Sequence, residues 1–134
     1  MLHVGIANRG FERRFELADF VRVAASKKRF VTPGLVLQVM RRTGNDDAEP
    51  LRVGFTVTKK AGKAVVRNRA RRRLRAAAAA VLPDHGRRGR DMVLIGRRET
   101  ARRPFAALVG DLETALRRLN AWRESGVGER TDEQ

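Results

Sequence analysis

The apolar positions of this chain change period several times, and each change marks a predicted element. Leu17, Phe20, Val21 and Ala24 recur at helical spacing and predict a short helix over about 17–26. No Ser, Thr or Asn precedes it, so its cap reads as poor. Lys27-Lys28-Arg29 leads into extended chain, where Pro33-Gly34 divides a short strand from a longer one. Residues 35–40 are aliphatic and β-branched, as a strand requires. Residues 43–50 carry turn chemistry and three acids, the pattern of a surface hairpin loop. Over 51–57 the alternation is strict. Leu51, Val53, Phe55 and Val57 face one way and Arg52, Gly54 and Thr56 the other, which predicts a half-buried strand.

A basic loop over 58–63 leads to a second helix predicted at about 65–82, with Val66, Ala70, Leu74, Ala77 and Val81 as its apolar line. Its alanine run has high helix propensity, and Pro83 is the expected end. After a loop over 84–90, residues 91–95 form a compact buried strand closed by Gly96. Pro104 opens a third helix, since proline is tolerated at the first helical position. Phe105, Leu108, Val109, Leu112, Leu116 and Leu119 form its buried stripe, and Phe55 and Phe105 read as core. No internal repeat is present. The pattern gives an α+β sandwich, helices packed on a small sheet, as one domain over 13–120 between tails at 1–12 and 121–134.

Composition narrows the function. The 134 residues are 42% hydrophobic, enough for a core, but Lys+Arg number 30 against 15 Asp+Glu, a net charge of +15. That much like charge calls for a polyanionic partner, and a phosphate backbone repays the repulsion by releasing condensed counterions. There is no cysteine, so disulfides and thiolate metal sites are excluded. No apolar run is long enough to span a bilayer and the start lacks the stretch of a signal peptide, so the chain reads as soluble and cytoplasmic, with no membrane partner.

Catalytic constellations are missing from the pattern. His3 lies in a tail and His85 beside Gly86, neither in a context that would hold a nucleophile–His–carboxylate arrangement. There is no HExxH motif, phosphate-binding Gly loop or His/Asp ligand cluster, so neither a catalytic residue nor a metal ligand is assigned. The basic residues carry more. Between Lys59 and Arg75 stand nine cations (Lys59, Lys60, Lys63, Arg67, Arg69, Arg71, Arg72, Arg73, Arg75) and no acid. Helical spacing puts Asn68, Arg71, Arg72 and Arg75 on one face with Arg69 and Arg73 beside it. An ordinary solvated face would pair Glu with Lys or Arg at four-residue spacing; here every pair repels. Arginine favours bidentate phosphate contacts, so the face reads as a nucleic-acid face. Lys27–Arg29, Arg87/Arg88/Arg90 and Arg97/Arg98 with Arg102/Arg103 are secondary patches. Phe20 suits either packing on the sheet or stacking on an unpaired base. A general RNA-binding or ribosomal protein, and a DNA-binding protein with the second helix in a major groove, fit the charge equally, although the latter lacks a helix-turn-helix partner.

The segment from Arg52 to Arg75 resembles the bacterial ribonuclease P protein family. The shared features are Lys59-Lys60 after a strand, Gly62, Ala64-Val65, and Arg67-Asn68-Arg69 opening an arginine-rich helix with Arg72 and Arg75. Asp19-Phe20 with Val23 is similar to the family's first helix, and the resemblance covers roughly 13–120. It implies an α-β-β-β-α-β-α sandwich of ribosomal-protein type, a small mixed sheet with a left-handed β-α-β crossover. It implies an auxiliary subunit of an endoribonuclease that removes the 5′ leader of precursor tRNA, with an RNA as catalyst, Mg²⁺ bound mainly by that RNA, and a protein inactive alone. Lys59, Lys60, Lys63, Arg67, Asn68, Arg69, Arg71, Arg72 and Arg75 would bind the catalytic RNA. Phe20, Val36, Gln38 and Arg52 would line a cleft for the leader of the precursor tRNA. No obligatory protein partner is implied. The family often lines this cleft with several aromatics; here Ala24 and Gln38 stand where others have rings.

Overall fold

The computed structural model describes Leu2, His3, residues 16–41 and residues 50–124; the loop predicted over 43–50, its last residue excepted, and most of both predicted tails lie outside these. The elements are β1 (Leu2–His3), α1 (Leu17–Ala25), β2 (Arg29–Val31), β3 (Leu35–Arg41), β4 (Arg52–Val57), α2 (Ala64–His85), β5 (Arg90–Gly96) and α3 (Phe105–Arg118). The strands form one mixed sheet in the order β1-β4-β5-β3-β2. β4 and β5 run parallel across the α2 connection and all other neighbours are antiparallel. The architecture is the expected α+β sandwich, with two corrections. Leu2–His3, read as tail, pair with β4. β3 and β4 do not form the hairpin that the turn chemistry suggested, because β5 lies between them.

Alternation along the strands supplies two unequal faces. Leu35, Leu37, Val53, Phe55, Val57, Met92 and Leu94 point to α2 and α3 and join Leu74, Val81, Leu108, Leu112 and Leu116 in the main core. Phe20 and Val23 of α1 pack on Val93 from the opposite face. Core burial also explains why α2 forms at all. Its like-charged neighbours cost a few tenths of a kcal/mol each. Burying Leu74, Val81 and Leu82 returns roughly 1.5–3 kcal/mol apiece. Burial wins.

Five local expectations are corrected. Pro83 does not end α2, which runs to His85. The last-turn carbonyls find donors from outside: Gly86 N–H binds Leu82 O at 2.9 Å, and Arg123 supplies Nη2 to Pro83 O at 2.8 Å and its N–H to His85 O at 2.7 Å. The same contacts, with buried Ala121, place 121–123 in the packed body rather than in a tail. Phe105 is 42% exposed, because at the first position of α3 it lies outside the stripe that begins at Leu108. The cap of α1 is supplied from within, Glu16 N–H donating to Asp19 Oδ2 at 2.8 Å. The buried face of α1 is Asp19, Phe20 and Val23, while Leu17 and Val21 are 65% and 62% exposed. An ion cluster described below turns Asp19 and Arg22 to the sheet and so rotates the apolar line outward.

Candidate nucleic-acid interface

After β4 the chain makes a 3₁₀ turn, Lys59–Ala61, and then Gly62 at φ 138°, a conformation that side-chain-bearing residues rarely adopt. A Cβ at Gly62 would also press on Val66. Glycine thus lets a lysine-bearing turn run straight into α2. Lys59, Lys60 and Lys63 are all exposed on it, and the first turn of α2 holds no acid, leaving the positive end of the helix dipole uncompensated. Arg67 braces the junction, its Nη1 donating to Gly62 O at 2.8 Å.

Further along α2 the arginines divide. Asn68, Arg69 and Arg72 are exposed, Arg67 and Arg75 half-buried. Arg69 and Arg72, with the three lysines, have no ion-pair or hydrogen-bond partner among the described residues. Arg71 is the exception within the predicted face: only 7% exposed, it donates from Nη2 to Asn68 Oδ1, and its Nη1 is buried with no partner. The cause is helical geometry, since Arg71 stands on the line of Leu74 and Ala78, both buried. Burial, and then the charges of Arg67 and Arg75, pull its basicity below the ordinary guanidinium value. Arg73 also leaves the face. Its Nε donates to Thr100 O at 3.0 Å and its Nη2 to Arg103 O, tying α2 to the β5–α3 loop.

Of the predicted leader residues, Val36 lines an open groove on the α1 side of the sheet, of about 490 Å³, with Arg29, Val31, Thr58, Lys60, Ile95, Arg97 and Arg98 around it. Gln38 sits one pair along β3, opposite Val93 and Arg29, at the border of α1. Phe20 is 8% exposed, its ring packed with Val23 and Val93, so packing rather than open stacking describes it here. Arg52 is occupied. It grips the fully buried Asp91 with Nε–Oδ1 2.8 Å and Nη2–Oδ2 2.7 Å, and reaches Asp19 at 3.2 Å. Arg22 closes the same cluster, 2.6 Å from Asp91 and 2.9 Å from Asp19. Four charges thereby clamp α1 to β4 and β5. Sequence reasoning missed this role of Arg52; the signal available was Asp91 heading an otherwise apolar strand. Among the described residues no group of three or more His, Asp or Glu could hold a metal ion, and no helix is long and apolar enough to cross a membrane.

Comparison with known proteins adds an independent line. The Ribonuclease P family profile matches residues 13–120. The ribonuclease P protein component of Paramagnetospirillum magneticum is 49% identical over 122 residues, covering 90% of this chain and 92% of the relative. That of Gluconacetobacter diazotrophicus is 54% identical over 101 residues, covering 75% and 84%. The solved structure of the RNase P protein from Thermotoga maritima superposes with TM-score 0.64 at 27% identity, covering 78% of this chain and 96% of the other.

Proposed function

The chain belongs to the ribonuclease P protein family, and on that premise we propose that it binds a catalytic RNA through α2 and the 5′ leader of precursor tRNA through the sheet groove. As a family member it is a tRNA-processing subunit; the division of labour between protein and RNA is the proposal. One observation carries it: Lys59, Lys60, Lys63, Arg69 and Arg72 are held, without partners among the described residues, on a turn and helix anchored in the core. The turn and helix beneath these cations are already ordered by the core, so phosphate binding costs side-chain entropy but no ordering of backbone. Asn68, Arg67 and Arg75 flank it. Arg71 supports the face from behind rather than touching RNA first, and Arg52 acts on the leader only through the placement of α1.

In this reading the protein is an auxiliary subunit, inactive alone, and works in the cytoplasm. Its role is electrostatic: it neutralises phosphate so that two polyanions, ribozyme and substrate, can approach. The two acids buried under α1 are already held by Arg22 and Arg52, so the described side chains do not fit a resident Mg²⁺. The metal that assists phosphodiester hydrolysis is assigned to the RNA. Reconstitution with the cognate RNA and a precursor tRNA across a Mg²⁺ series tests the whole. The protein alone should leave the precursor intact and, added to the RNA, should raise cleavage at low Mg²⁺. Equal rates with and without protein at every Mg²⁺ concentration would overturn it.

A further inference from the structure

A second groove, of about 470 Å³, lies between the start of α2 and the β5–α3 loop, lined by Lys60, Ala61, Gly62, Val66, Arg69, Arg98, Ala101 and Arg102. Four cations rim it and small apolar side chains floor it. It shares Lys60, Ala61 and Arg98 with the sheet groove, so the two meet over the 3₁₀ turn.

The loop that carries Arg98 and Arg102 is held from several sides. Thr100 Oγ1 donates to Gly34 O at 2.5 Å and accepts Arg97 N–H at 2.7 Å. Arg103 pairs with Asp111 through Nε at 2.5 Å and Nη2 at 3.0 Å, and Arg73 donates to the carbonyls of Thr100 and Arg103. Neither Arg98 nor Arg102 takes part in this bracing. Arg98 is exposed, and among the described residues the Arg102 side chain pairs with the exposed Glu99, at 3.0 and 3.1 Å. An exposed pair of this kind is worth little, so a phosphate can compete for Arg102. The arginines that build the loop and those that face the groove are thus different residues.

We propose that the single strand lying on the sheet continues over Ala61 into this second groove, where Arg98 and Arg102 take its phosphates along the wall opposite the catalytic-RNA cations Lys60 and Arg69. The inference rests on the cleft reading given above and extends it past Arg98, which lines both grooves, to Arg102. With no aromatic ring in the groove, the grip is on sugar and phosphate and is indifferent to base.

The test uses the reconstituted holoenzyme and compares its affinity for a precursor tRNA with that for the mature tRNA, in wild type and in the double variant Arg98→Ala/Arg102→Ala. The leader-dependent gain should shrink several-fold, and the salt slope of precursor binding should fall by about 0.7 for each phosphate left unneutralised. Binding of the catalytic RNA, of mature tRNA, and the thermal melt should stay at wild-type values. Glu99→Gln, which releases Arg102, should enlarge the gain. An unchanged gain in the double variant would overturn the inference, as would weakened assembly with the catalytic RNA, which would assign the groove to that partner. If wild type itself gains nothing from a leader, the cleft reading fails, and that outcome is separately visible.

Discussion

Among the arginines of α2, neighbours one residue apart have opposite duties. Arg72 is exposed and partnerless among the described residues, while Arg73 holds two carbonyls of the β5–α3 loop. Arg73→Ala should therefore cost about 1–3 kcal/mol, since it orphans acceptors across an element boundary. Arg72→Ala should leave stability within about 0.5 kcal/mol of wild type and weaken RNA binding instead. Arg71→Met should raise the melting temperature, because it removes a buried charge whose Nη1 has no partner. Chemical denaturation of the three variants side by side checks this, and a stable Arg73→Ala would refute the assignment. At this scale the chain was legible only in part. Charge density announced a cationic face, but helical spacing places Arg71, Arg72 and Arg73 only about 100° apart in turn, and the sequence does not say how wide the buried sector is. Phe105 misled for the same reason. Its period is right, but its position before the first full turn leaves it outside the core.

At the scale of elements, α1 is attached by charge as well as by the packing of Phe20 and Val23. Burial works to raise the pKa of Asp19, but the Glu16 N–H bond and the charges of Arg52 and Arg22 outweigh it, so the carboxyl ends below its ordinary 3.8. Because the folded value is the lower one, the stability Asp19 contributes is complete above its unfolded pKa and is lost as pH falls through the folded pKa. Undocking of α1 should accordingly set in below about pH 4, visible as a falling denaturation midpoint, and Asp19→Asn should flatten that part of the profile. Asp91→Ala should be harsher, about 3 kcal/mol at neutral pH, because it removes the fully buried carboxylate that Arg52 grips through two nitrogens and that Arg22 also reaches. A neutral-pH stability equal to wild type would show that solvent reaches the cluster freely. Element type and order were readable because apolar period is a local property. The rotation of α1 was not, since it depends on Asp91, distant in sequence. The extension of α2 past Pro83 was not either, since Arg123 supplies the missing donors from the other end of the domain.

For the molecule as a whole, a net charge of +15 makes stability and affinity answer salt in opposite directions. Between about 0.01 and 0.15 M salt the screening length contracts from roughly 30 to 8 Å. The free protein should melt at a higher temperature over that range as self-repulsion fades, while its RNA affinity falls. A melting temperature that drops with salt would mean that attractive pairs such as the Asp91 cluster outweigh the net field. Sheet order was the part least visible in sequence, because strands adjacent along the chain commonly pair. Here β5 separates β3 from β4. This central strand is also the last of the five to be synthesised. A nascent chain that has not yet emerged as far as Gly96 offers two open edges, β3 and β4, that can join each other or a neighbour. Translation stalled between Val57 and Arg90 should thus yield an aggregation-prone fragment, and a chaperone that masks those edges should matter most during that interval.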